Sequence, residues 1–240
     1  MNLKRIFNNT LNRTNPEVNK NVAIHQAGHA AAIYFNNQQK ALPPVFFQIL
    51  ITPLATDFQS SQYGRKSNHD HVVKVDGGQL IPMLPSSIEE ATSGFFSAQA
   101  QAYERAFEAD MVNRLVGPLA EAKYIALRDG ELMNSHLINV NALNFYGGTS
   151  DLEQVNEYLE CFPLNQELKE QKITDLFLAA FNFVNIKSNW QAITALADYI
   201  VAEHKNVFAY DDIIRILENA HSLATFRSSR GYPVALNECV

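Results

Sequence analysis

Apolar positions recur with a helical period along most of this chain and bunch into a strand-like run at one place. From Asn21 to Phe35, Val22, Ile24, Ala27, Ala31 and Ile33 sit among small residues. The alanines favour helix, and with Gly28 they allow close packing on several sides, so the segment predicts a buried helix. Pro43-Pro44 break the pattern, and Val45 to Ile51 is rich in β-branched and aromatic residues, which predicts a buried strand. From Thr52 to Ser87 the chain is polar and carries prolines and glycines; it reads as a long loop or small hairpin insertion, with a short strand at Val72–Val75. Helical patterning resumes over Ile88–Val116 and Pro118–Arg128, with an interruption expected at Gly117-Pro118. After a turn-rich stretch from Asn144, Ser150 is placed to cap a helix from Asp151 to about Cys161, with Glu153 in its first turn. Leu164–Phe183, Asn189–His204 and Tyr210–Ala220 predict three further helices.

The fold class expected is therefore mainly α (α+β), with one small β element. Residues 1–20 read as a flexible N-terminal arm closed by Asn15-Pro16. Residues 21–220 read as one domain with an insertion at about 54–104, and 221–240 as a mobile tail. Composition narrows the picture. Of 240 residues, 47% are hydrophobic and 18% charged, enough apolar surface for a core and too little charge for a disordered chain. A net charge of -6 gives no reason to expect nucleic acid. Cys161 and Cys239 make neither a disulfide framework nor a cysteine zinc site, so a reducing compartment is expected. No stretch approaches the ~20 apolar residues of a membrane span, and no signal-peptide core or glycine-rich nucleotide loop is found. A cytoplasmic location without ATP binding is the expectation.

One candidate for chemistry is His25-Gln26-Ala27-Gly28-His29. Residues four apart share a helix face, so both imidazoles can aim at one point, and zinc accepts such nitrogens at about 2.0–2.1 Å. In the H-E-x-x-H arrangement, the glutamate after the first histidine takes the proton of the attacking water. Here Gln26 stands at that position. A carboxamide can hydrogen-bond but cannot accept the proton. On this helix alone, a chance pair of histidines is the competing reading.

The wider sequence bears on that choice. Val22-Ala23-Ile24-His25-Gln26-Ala27-Gly28-His29-Ala30 resembles the V-A-x-H-E-A-G-H-A signature of FtsH-type zinc metalloproteases. Phe47 to Pro53 is similar to that family's following strand, Leu115-Val116-Gly117-Pro118-Leu119-Ala120-Glu121 to its L-x-G-G-R-A-A-E helix, and Gly147-Gly148-Thr149-Ser150-Asp151-Leu152-Glu153-Gln154 to G-A-x-N-D-L-x-Q. Tyr199 to Leu217 looks like its closing helix pair. The blocks occur in the family's order over residues 21–220. The resemblance implies a helical zincin-like peptidase domain with a zinc ion on His25, His29 and Asp151, Asp151 being the family's third ligand. It implies a peptide or unfolded-protein substrate, or a protein partner held in its place. Ring assembly does not carry over, because the family's ATPase part contributes much of it; an oligomer is left open.

Two departures qualify this. Gln26 replaces the base, whose contribution is typically ~10²–10⁴-fold. These residues also contain no counterpart of the family's ATPase module or membrane anchors. The expectation is a zinc-binding domain impaired in hydrolysis. The alternatives are an active zinc endopeptidase, in which Gln26 is a trapping substitution or another carboxylate serves as base, and a metal-free helical scaffold. Among other polar residues, Glu121 is a candidate to orient a zinc histidine, with a surface salt bridge as its other reading. His69-Asp70-His71 reads as a polar loop that could bind a metal if extended. Asp110 falls near the presumed site, while Glu153, His204 and His221 read as surface residues.

Overall fold

The computed structural model describes residues 18–53, 65–66, 71–134, 138–203 and 205–229. The expected N-terminal arm, apart from Val18–Lys20, lies outside them. So do most of the loop between residues 53 and 71, His69 and Asp70, His204, and the last residues of the expected tail. The architecture is mainly α with a small β element, as the hydrophobic pattern predicts. Its helices are α1 (Lys20–Gln39), α2 (Ile88–Thr92), α3 (Ser97–Arg128), α4 (Thr149–Glu160), α5 (Gln166–Asn185), α6 (Lys187–Ala202) and α7 (Tyr210–Ser229). Its strands are β1 (Phe47–Pro53), β2 (Arg65–Lys66), β3 (His71–Gly77) and β4 (Val207–Phe208), and a 3-10 helix spans Val140–Tyr146. Among the described residues no helix is long and apolar enough to cross a membrane.

Helix α1 is the axis of the domain. The Asn19 side chain caps it by accepting from the Asn21 amide at 2.8 Å. Fifteen of its residues are buried, among them the whole run Val22–Ile33. A helix apolar and small on every face is stable only when enclosed, and α3, α6 and β3 enclose it. Its closest neighbour is α3. A methyl group on Gly28 would lie 2.9 Å from the Ala120 Cβ and 3.1 Å from the Val116 carbonyl oxygen, so the two helices cross where neither presents bulk.

The sheet is antiparallel in the order β2-β3-β1-β4. β1 and β3 pair along their full length, from Phe47 opposite Gly77 to Pro53 opposite His71. Phe47, Ile49 and Ile51 alternate into the core, where Phe208 of β4 joins them. The strand expected at Val72–Val75 is thus the middle of a longer one, because pairing with β1 recruits flanking residues of low strand propensity.

The chain departs from its sequence pattern elsewhere. The interruption expected at Gly117-Pro118 does not occur: α3 is one helix through Pro118. Proline removes a single N–H, the one that would reach the Arg114 carbonyl, and the burial of Leu115, Val116, Leu119 and Ala120 outweighs that loss. The segment before it splits instead, α2 ending at Thr92 and α3 starting at Ser97. Helix α4 begins at Thr149 with Gly148 at its cap, not Ser150. Helix α7 continues to Ser229, past the expected end at Ala220. Ala224 is buried and the His221 ring stacks on Phe35 at 4.5 Å, so the first part of the expected tail is packed helix.

Candidate metal centre

Two elements bring the three candidate ligands together. His25 and His29 stand one turn apart on the enclosed face of α1, with their ring centroids 4.8 Å apart. Asp151 lies in the first turn of α4, where the helix dipole favours a carboxylate. All three are buried, and their donor atoms lie within 4.8 Å of one another. The His25 Nε2 is 3.2 Å from one Asp151 oxygen and the His29 Nε2 is 3.3 Å from the other. In a tetrahedron with bonds of about 2.0–2.1 Å, ligand atoms stand about 3.3–3.4 Å apart; both imidazole–carboxylate spacings are near that edge but run to different Asp151 oxygens, and the set as a whole spreads to 4.8 Å, so the ligands would have to draw together around an ion.

Each imidazole is oriented from behind. The His25 Nδ1 donates to the Glu121 carboxylate at 3.0 Å, and the His29 Nδ1 donates to the Asn113 backbone carbonyl at 2.9 Å. A carbonyl oxygen only accepts, so the proton of neutral His29 sits on Nδ1 and its Nε2 lone pair is bare. The Glu121 carboxylate fixes the same tautomer on His25. Both bare lone pairs therefore face the Asp151 carboxylate, an arrangement that repels unless a cation, metal or proton, lies between them. The cluster is also acidic: Glu121 and Asp151 are both buried around one pair of imidazoles, so with neutral rings these four groups are net negative and a divalent ion would offset that charge.

The metal-free cluster must be protonated to be tolerable, and its electrostatics reflect that. Burial alone would depress the His25 imidazole, but the Asp151 and Glu121 carboxylates outweigh it and hold its pKa above the usual histidine value. Burial would raise the Asp151 carboxyl, yet the two histidines hold it well below the carboxylate range.

Gln26 occupies the base position of the motif and is itself buried. Its carboxamide oxygen accepts the backbone N–H of Val75 at 2.9 Å. In the described residues β2 pairs with β3 only at Val72 and Val73, so Gln26 serves a donor that the sheet leaves open. The oxygen that would accept from a water near the histidines is thus committed to the sheet. Gly117 explains the closeness of α3 to His29: a methyl group there would sit 2.3 Å from the His29 Nε2. The Leu115–Glu121 block therefore supplies both the space beside one histidine and the acceptor behind the other.

Of the remaining candidates, Glu121 is buried behind His25 and is no surface ion pair. Glu153 is exposed. Asp110 is buried apart from the triad, accepting from the Leu80 and Ile81 amides and the Tyr158 hydroxyl. His71 begins β3, and no cluster including it could hold a metal among the described residues. The Asn113 carbonyl and the Val75 amide escaped sequence reasoning because both are backbone groups, which carry no residue-type signal. No protein-family model matches the chain, and neither a curated protein nor a solved structure matches it.

Proposed function

We propose that this chain is a zinc-binding, FtsH-type peptidase-like domain that holds peptide or unfolded protein and hydrolyses it poorly if at all. The observation that carries the reading is the pair of bare Nε2 atoms facing one carboxylate, each imidazole held from behind. A two-histidine, one-carboxylate set leaves a tetrahedral ion one open position, the pattern of catalytic rather than structural zinc. Bound there, zinc would supply Lewis-acid polarisation of a peptide carbonyl.

The chain's own residues set the limits of that chemistry. His25, His29 and Asp151 would hold the ion, while Glu121 and the Asn113 carbonyl keep both rings in the coordinating tautomer. Gln26 cannot take a proton, and its oxygen already serves Val75. A glutamate in its place would offer two oxygens, one for the Val75 amide and one for the proton.

Zinc content and peptide hydrolysis, measured together in this protein and in Gln26→Glu, test the proposal. The expected result is close to one zinc per chain in both proteins, with cleavage of an unfolded polypeptide about 10²–10⁴-fold faster in Gln26→Glu. Purification without zinc in either protein would sink the metal reading and leave a helical scaffold. Equal cleavage by the two proteins would sink the claim that Gln26 disables the site.

A further inference from the structure

Beside the triad, a cleft opens between α1, α3 and the end of β3. Its lining includes His29 and Ile33 on one side, Gly78 on another, and Asp110, Asn113 and Arg114 on the third. Its enclosed part is small, about 20 Å³, the space of a water or two, and it opens into a wider mouth. A ligand could enter it only by a small terminal group such as a carboxylate, with the rest of the ligand in the mouth.

Arg114 is the unexplained group in this cleft. It is half-buried and makes no hydrogen bond or ion pair with any described residue. The nearby acid does not claim it. Asp110 is close enough for its charge to be felt at Arg114, but its two oxygens are taken up by the Leu80 amide at 3.0 Å, the Ile81 amide at 2.9 Å and the Tyr158 hydroxyl at 3.1 Å. A half-buried guanidinium keeps five N–H donors in a planar fork that matches a carboxylate. Among the described residues it has no hydrogen-bond or ion-pair partner, and Asp110 acts on it by charge alone, so its donors are open to an anionic group in the cleft it shares with His29.

We infer that Arg114 is the specificity-determining residue of this site and selects peptides carrying a carboxylate, from an acidic side chain or from the chain's own C-terminus, next to the bond presented to the metal centre. The inference rests on the peptide-holding reading above for the kind of ligand, and its geometry is independent of whether zinc is held.

The test uses the zinc-loaded full chain and three probes: N-acetyl-Ala-Ala-Ala with a free carboxylate, N-acetyl-Ala-Glu-Ala-amide, and neutral N-acetyl-Ala-Ala-Ala-amide. Binding is read by calorimetry, and zinc content is measured on the same samples. At least one anionic probe should bind about tenfold or more tightly than the neutral one, as a charge-assisted bidentate contact warrants. Which anionic probe gains tells terminal from side-chain recognition. Arg114→Gln should bring that probe down to the neutral one with zinc content unchanged, and Arg114→Lys should keep part of the preference. No preference for either acid, or a preference that survives in Arg114→Gln, overturns the inference whatever the zinc content. An anion preference that Arg114→Gln abolishes, in a chain that holds no zinc, upholds the inference and sinks the metal reading alone.

Discussion

Two buried carboxylates, Asp110 on α3 and Asp151 on α4, differ in that only one of them asks for a ligand. Asp110 is surrounded by donors: the Leu80 and Ile81 amides and the Tyr158 hydroxyl. Burial raises its carboxyl above the ordinary range, and those donors only partly pull it back. Asp151 is surrounded by acceptors. Two imidazole nitrogens point at it, bare when the rings are neutral; when the rings carry a proton there, their charge holds its carboxyl far below the ordinary range. Both are buried acids, one on α3 and the other on a helix packed against it. What separates a staple from a ligand is the hydrogen-bonding character of the neighbours, since a closed set of donors completes a carboxylate and a set of lone pairs leaves a gap for a cation.

Exchanging the two roles by mutation should break this contrast most strongly. Asp151→Asn removes the charge that completes the ion's ligand set and should abolish stoichiometric zinc while leaving the helices folded. Asp110→Ala leaves the Leu80 and Ile81 amides without their acceptor, while the Tyr158 hydroxyl keeps the Ile81 carbonyl, and should cost about 1–3 kcal/mol of stability, with zinc content retained at a temperature where the fold persists. Metal analysis and thermal unfolding on both proteins separate the outcomes. Zinc retained by Asp151→Asn, or lost from folded Asp110→Ala, would show that the contrast has been read the wrong way round.

The same contrast marks how far the sequence could be read. Every group that meets the triad through a side chain had a signal. The i, i+4 spacing of His25 and His29 predicts a shared face, Asp151 enters through a block of resemblance, and Glu121 is a candidate to orient a zinc histidine with a surface salt bridge as its other reading. Contacts made by the backbone had none. The Asn113 carbonyl behind His29 and the Val75 amide on Gln26 depend on how α1 meets α3 and β3, and any residue type offers those atoms. Gly28 and Gly117 lie between these cases. Both were visible as small residues, but that Gly117 makes room for an imidazole while Gly28 makes room for a helix follows only from the crossing geometry. Local rules failed where burial overrode them: proline propensity argued for a break at Pro118, and the packed residues on either side of it carried α3 through.

Glu121 offers a smaller perturbation of the ligand side. Glu121→Gln keeps an acceptor for the His25 Nδ1 proton but removes the charge that raises the imidazole's basicity. Outer-shell changes of this kind typically weaken metal affinity about 10–100-fold. Because the tautomer is preserved, the lower part of that range is expected. Zinc should still load at saturating concentration and should be stripped by a competing chelator at lower chelator concentration than in the parent. An unchanged chelator titration would mean that Glu121 only fills space behind the ring.

The smallest expected effect is in pH, and it distinguishes a proton from a metal ion in the gap beside Asp151. The folded chain without metal holds the His25 proton more tightly than the unfolded chain does. That contribution to stability is complete below the ordinary histidine value of 6.5 and is lost as pH rises through the higher folded value. Asp151 runs the other way: its contribution is complete above the ordinary value of 3.8 and is lost as pH falls through the depressed folded one. Without metal, stability should therefore peak between those two ordinary values and decline above neutrality. Zinc replaces the proton and requires deprotonated ligands, so the stabilisation it confers should grow over the same rise in pH. Melting curves of chelator-treated and zinc-loaded protein at a series of pH values read both trends, each kcal/mol being worth roughly 2–4 °C in a chain of this size. A metal-free melting temperature that stays flat above neutrality, together with a zinc increment independent of pH, would mean that neither a proton nor a metal ion sits between these lone pairs.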